Sequence, residues 1–222
     1  MLRRHIEEEL VLWKNNSKKK CLIIEGARQV GKTFTVREFA SKYYENCIEL
    51  NFISTPSYCK IFDGDLDINT ILSNISLYTS YGGKMIPGKT LIFLDEIQAC
   101  PKARTALKFF SMNGRYDVIA SGSLLGISYS NVPSYPTGYV EYLEMYPLTF
   151  EEFLWANNVS EDVVCKLRES FKNKEEVNIA TNDKMHELFR QYIVVGGMPE
   201  VVNNFVKERN YSTVLKLQRA IV

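Results

Sequence analysis

Gly26-Ala27-Arg28-Gln29-Val30-Gly31-Lys32-Thr33 is a complete Gly-x4-Gly-Lys-[Ser/Thr] phosphate-binding loop, set directly after an apolar run. With Gly at about 7% of residues in proteins generally, a chance match in a chain this long is roughly a 1% event. The flanks narrow the fold further. Cys21-Leu22-Ile23-Ile24-Glu25 predicts a short buried strand, and Thr33 to Ala40 predicts the helix that follows it. Strand, Gly-rich turn and helix N-terminus bring free backbone N–H groups and the helix dipole to one point, which makes an anion site. The expected contacts are the loop residues themselves, with Phe34 just beyond them.

Length and charge bound what else the chain can be. Its 222 residues suffice for one α/β domain and a smaller appendage. Basic and acidic residues nearly balance, 27 against 26, so no net field argues for nucleic acid or a membrane surface. The five cysteines, Cys21, Cys47, Cys59, Cys100 and Cys165, are scattered and lack the close pairs of a zinc site. Scattered thiols suit a reducing compartment. No apolar run approaches transmembrane length, and Glu7-Glu8-Glu9 stands where a signal peptide needs its hydrophobic region. These features predict a soluble, cytoplasmic protein.

Helices and short apolar strands alternate to about residue 147, and helices dominate afterwards. The division expected is therefore a core over 1–147 and a helical region over 148–222. A helix over 5–15 precedes the loop strand, and Lys18-Lys19-Lys20 between them reads as a solvated edge. Cys47 to Phe52 predicts the second strand, with short helices near 56–62 and 68–79. Residues 81–88 read as turns. Thr90 to Leu94, continuously apolar, predicts a strand buried on both faces. Pro101 suits the first turn of a helix reaching Phe110. Tyr116 to Ala120 is a fourth strand, 128–138 a loop, and Tyr139 to Tyr146 a fifth strand. Thr149-Phe150-Glu151-Glu152 is a capping-box pattern. Helical segments follow near 160–172, 183–195 and 210–221, with Lys172 to Glu176 as a polar, mobile connection.

A phosphate cradle alone is not a triphosphatase, which must also hold magnesium and orient a water. The third strand runs straight into Asp95-Glu96, the pattern of a Walker B element. Asp95 at the strand tip would hold the metal beside the Thr33 hydroxyl. Glu96 would polarise the attacking water, and Lys32 would bridge the β- and γ-phosphates. The alternative for the acidic pair is a favourable charge at the next helix N-terminus. Ser121, at the end of the fourth strand, could sense the γ-phosphate or water, although Ser-Gly-Ser is also ordinary turn chemistry. Placing such a sensor strand between the loop strand and the Walker B strand implies the sheet order 5-1-4-3-2.

Four motifs occur in sequence order: Gly26 to Thr33; Leu94-Asp95-Glu96-Ile97-Gln98; Ala120-Ser121-Gly122-Ser123-Leu124-Leu125-Gly126; and Tyr146-Pro147-Leu148-Thr149-Phe150-Glu151-Glu152-Phe153. Gly196-Gly197-Met198-Pro199-Glu200 continues the match. Together they resemble the AAA-like ATPases often called archaeal-type ATPases. The resemblance implies an AAA+-type P-loop core, ATP with Mg2+, and a helical or winged-helix-like region. It also implies nucleotide contacts at Gly197 and Pro199, against the alternative of a Gly-Gly helix stop and a proline starting the next helix. Many relatives carry Gly-Arg before the Pro-Leu-x-Phe motif, where this chain has Gly138-Tyr139-Val140-Glu141. Arg28 could reach the phosphates or a partner subunit, or pin the loop to a carboxylate. Relatives continue into a further C-terminal domain, so the chain reads as a piece lacking it.

The leading expectation is a slow ATPase whose nucleotide state moves the helical region. The resemblance leaves room for a homo-oligomer and for a protein or DNA client. A nucleotide-gated binding module with little turnover is the main competitor. A small-molecule kinase is weaker, because the acidic pair points to water as acceptor.

Overall fold

The computed structural model describes residues 2–79, 85–123 and 138–221. The expected turn over 81–84, the Leu124-Leu125-Gly126 part of the third motif and nearly all of the loop over 128–138 lie outside them. Two compact units form: Ile6–Met145, and Met1–His5 with Tyr146–Val222.

The first unit is an α/β layer structure. Its order is α1 (Ile6–Asn15), β1 (Cys21–Gly26), α2 (Lys32–Tyr43), β2 (Asn46–Asn51), a 3-10 segment (Pro56–Phe62) and α3 (Ile68–Tyr78). Then come β3 (Thr90–Asp95), a 3-10 turn (Ile97–Ala99), α4 (Pro101–Asn113), β4 (Asp117–Ser123) and β5 (Val140–Glu144). The five strands are parallel in the order β2-β3-β4-β1-β5, the reverse reading of the expected 5-1-4-3-2. Alternate strand residues feed the two faces. Ile23, Ile48, Leu50, Ile92, Leu94, Val118 and Ala120 share a core with α3 and α4. On the other side α2 packs against β1, β2, β3 and β4. Every residue of β3 is buried, as a central parallel strand requires.

β4 runs three residues beyond the expected strand, through Ser121, Gly122 and Ser123. Turn-forming residues are overridden because β1 pairs with them directly, down to Gly26 against Ser123. Pairing with β1 on this edge satisfies backbone groups of these residues in the ladder.

The second unit holds α5 (Phe150–Ala156), α6 (Glu161–Asn173), α7 (Ile179–Val195), α8 (Pro199–Glu208) and α9 (Tyr211–Ile221) around Leu148, Phe153, Leu188, Val201, Val202 and Phe205. Among its described residues there is no strand, so the winged-helix-like expectation reduces to a helical one. The capping box at Thr149 and Glu152 forms as expected. Helix α6 takes in Asn173 as well, one residue beyond the expected helical segment. It ends at Lys174, held in the left-handed region at φ 58°. No helix among the described residues is long and apolar enough to cross a membrane.

Candidate nucleotide site

β1 delivers the chain to Gly26, where a side chain cannot fit. A Cβ there would lie 2.2 Å from the Met145 carbonyl oxygen, because β5 exits across the loop and the Met145 N–H donates to the Glu25 carbonyl at 2.7 Å. Buried Val30 anchors the loop from below, while Ala27, Arg28 and Gln29 are exposed. Gly31 closes it at φ 97° and is the N-cap of α2, so no side chain satisfies the first N–H groups of that helix. Its first turn also lacks an acidic residue and begins with Lys32, opposite to what the dipole favours. A helix end left both uncapped and positive is built for an anion.

The Lys32 side chain is buried, and its Nζ donates to the carbonyls of Gly26 at 2.9 Å and Ala27 at 2.8 Å. Burial pulls the ammonium below its ordinary pKa, and the carboxylates of Glu96 and Asp95 oppose that pull. The loop thus curls around its own lysine and holds it at the helix end.

Parallel register brings three other strand tips to the same place. Asn51 ends β2 opposite Asp95, which ends β3, and Ser121 lies one residue past the Leu94–Ala120 pair on β4. Asp95 is 1% exposed. It accepts hydrogen bonds from the Thr33 hydroxyl at 3.1 Å to each oxygen, from Asn51 Nδ2 at 2.8 Å, and from the Ser121 hydroxyl. All of these donors are neutral, and among the described residues no cation pairs with this carboxylate. Ser121 in turn accepts from the Glu96 N–H at 3.3 Å. Glu96 sits at φ 57°, ψ 48°, a conformation costly for a residue with a Cβ. Its carboxylate accepts a hydrogen bond from Gln98 Nε2.

The AAA domain family matches residues 18–154, which takes in the loop, all five strands and the start of α5. The chain belongs to this AAA domain family. Among solved structures it is similar to the RuvB Holliday junction branch migration motor of Thermotoga maritima, with TM-score 0.53 and 15% identity over 97% of this chain and 68% of that one. It is also similar to Drosophila ORC bound to DNA, with TM-score 0.51 and 14% identity over 96% of this chain. The chain spans 65% of the length of that ORC chain. At such identities the likeness is one of fold. No curated protein matches the sequence.

The first unit of this AAA domain therefore gathers the expected residues Gly26 to Phe34, Asp95, Glu96 and Ser121 around one point. Thr33 and Asp95 lie side by side, and two hard oxygen donors so placed suit Mg2+. Among the described residues no group of three or more His, Cys, Asp or Glu is placed to hold a metal ion, so a cation here would depend on phosphate oxygens as well. Arg28 forms no ion pair among the described residues, so the described contacts do not pin it to a carboxylate. Phe34 is 55% exposed.

Gly197 and Pro199 lie in the helical unit, where packing explains both. A Cβ on Gly197 would fall 2.4 Å from the Leu148 carbonyl oxygen, and the Gly197 carbonyl accepts the Leu148 N–H at 2.7 Å. Pro199 opens α8 at its first turn. Two site residues carried no role in the sequence reading. Asn51 looked like the polar end of an alternating strand, and Gln98 was only the last letter of a motif. The available signal was positional: in a parallel sheet, the residue ending each neighbouring strand lands beside Asp95.

Proposed function

We propose that the chain binds ATP with Mg2+ at the Gly26–Thr33 loop and hydrolyses it, as one of the archaeal-type ATPases within the AAA families. The single observation behind this reading is Asp95: a buried carboxylate held by neutral donors only, facing an uncapped helix end and a buried lysine. Backbone N–H groups of the loop and of the start of α2 would take the β- and γ-phosphates. Lys32 would exchange its two carbonyl partners for phosphate oxygens. Thr33 and Asp95 would hold Mg2+, which would supply positive charge against the phosphates. Glu96 would accept a hydrogen bond from the attacking water and align it, with Ser121 fixing the backbone from which Glu96 springs. An arginine finger can contribute roughly 10³–10⁵ in rate, and with Tyr139 where many relatives have an arginine the isolated chain should be slow. A homo-oligomer would be one source of that arginine.

Two variants separate the roles. Lys32→Ala should lose ATP binding by calorimetry, and Glu96→Gln should bind ATP but scarcely cleave it. Equal hydrolysis by Glu96→Gln and the parent would remove Glu96 from the chemistry.

Tyr139 also favours a second reading, a nucleotide-gated binding module. It stands in the turn before β5 with the Lys108 ammonium 5.3 Å from its ring centre, at a place where many archaeal-type ATPases carry an arginine. Prompt phosphate release in a single turnover supports the enzyme, and persistent intact ATP supports the module.

A further inference from the structure

We propose that Gln98 is a positioning residue for Glu96, fixing which carboxylate oxygen is offered to water; this rests on the water-aligning role given to Glu96 above. Gln98 lies in the 3-10 turn Ile97–Ala99, directly after the strained Glu96. Between the two, Ile97 is 4% exposed and plugs into the core beneath the sheet end. The turn is closed by the Ala99 N–H donating to the Glu96 carbonyl and the Cys100 N–H to the Ile97 carbonyl, each at 3.0 Å. Glu96 and Gln98 therefore flank a buried anchor and meet above it.

The contact is one specific hydrogen bond, from Gln98 Nε2 to Glu96 Oε2. A carboxylate only accepts, so the amide must present its NH2 to Glu96 and turn its oxygen the other way. That oxygen is buried and has no hydrogen-bond partner among the described residues. It lies against the backbone of β4, where a Cβ on Gly122 would come within 3.1 Å of it. The amide is thus held between the carboxylate on one side and the bare glycine backbone on the other. An amide that tolerates an unpaired buried oxygen to keep this orientation is held for the donor it presents. Oε2 of Glu96 is occupied, while Oε1 has no donor among the described residues and is the oxygen left for water. Holding a carboxylate with several rotatable bonds in one pose converts a search into an aligned encounter.

Steady-state and single-turnover hydrolysis of Mg-ATP by the whole chain tests this. Gln98→Leu keeps the volume and removes the donor, and Gln98→Glu keeps the shape and cannot donate when ionised. Both should lower kcat about tenfold or more, with KM and ATP affinity within about twofold of the parent and an unchanged melting midpoint. In a Glu96→Gln background, adding Gln98→Leu should lower single-turnover cleavage no further, because the lost contact acts through Glu96. Parent-like kcat in both single variants overturns the proposal, as does an additive loss in the double variant. If Glu96→Gln alone hydrolyses as well as the parent, the failure lies in the role of Glu96. If Glu96→Gln is inactive and both Gln98 variants turn over normally, only the positioning role falls.

Discussion

Asp95 in the sheet unit and Glu152 in the helical unit are both buried carboxylates, 1% and 3% exposed, yet their surroundings are opposite. Glu152 is compensated. Its Oε1 accepts from Arg4 Nε at 3.1 Å and the His5 N–H at 2.8 Å, and its Oε2 accepts from the Thr149 N–H at 2.8 Å. Arg4 in turn donates to the Tyr146 carbonyl at 2.6 Å, so the N-terminal residues are strapped to the start of α5. Asp95 has two hydroxyls and an amide, and no ion pair among the described residues; the Lys32 ammonium acts on it only at a distance. A buried acid whose charge is matched holds a fold together. One left with neutral donors keeps its charge for something that arrives later.

Removing the two acids should therefore have opposite consequences. Glu152→Ala leaves the Arg4 guanidinium buried without its carboxylate and should cost about 3–5 kcal/mol, read as a lower denaturant midpoint of the helical unit. A loss under about 1 kcal/mol would place Glu152 among ordinary surface acids and break the contrast. Asp95→Asn should leave the ligand-free chain within about 1 kcal/mol of the parent, since lost charge-assisted hydrogen bonds are offset by a smaller desolvation cost. The same substitution should abolish the magnesium dependence of ATP uptake. A large ligand-free destabilisation would make Asp95 a structural acid like Glu152.

Thiols sharpen the contrast at a smaller scale. In the sheet unit, burial pushes the Cys21 thiol from its ordinary 9.0 up to about 12, whereas Cys165 in the helical unit is exposed. Alkylation at pH 8 should label Cys165 first and leave Cys21 unmodified until unfolding. The raised value means that the unfolded chain ionises first. The stability contributed by neutral Cys21 is then present below pH 9 and drains away as pH climbs toward 12. Labelling of both cysteines at one rate would show that the core around β1 opens readily.

The legible parts of this molecule were the contiguous ones. Gly26 to Thr33 and Asp95-Glu96 are local patterns whose chemistry depends on neighbours in sequence; apolar runs located the strands, and the roles assigned to the strand ends implied their order. What escaped depended on distance along the chain. The Asn51 contact to Asp95 spans 44 positions, and the Arg4–Glu152 pair spans 148. No periodicity encodes such pairings; only the parallel register and the folding of the N-terminus onto the helices create them. For Ser121-Gly122-Ser123 the local alternative, a turn, loses to pairing with β1, a strand about a hundred positions earlier in the chain. Gly197 belongs with these. Its need for a bare Cα comes from the Leu148 carbonyl, 49 positions earlier in the chain, and not from any local turn.

Calorimetric titration of ATP into the folded chain, with Mg2+ and then with a chelator, tests the role of Asp95 and the loop most directly. Saturable binding that weakens at least about tenfold on chelation, an effect of some 1.4 kcal/mol, is the predicted result. Heat of binding that is absent, or identical with and without the metal, would contradict it.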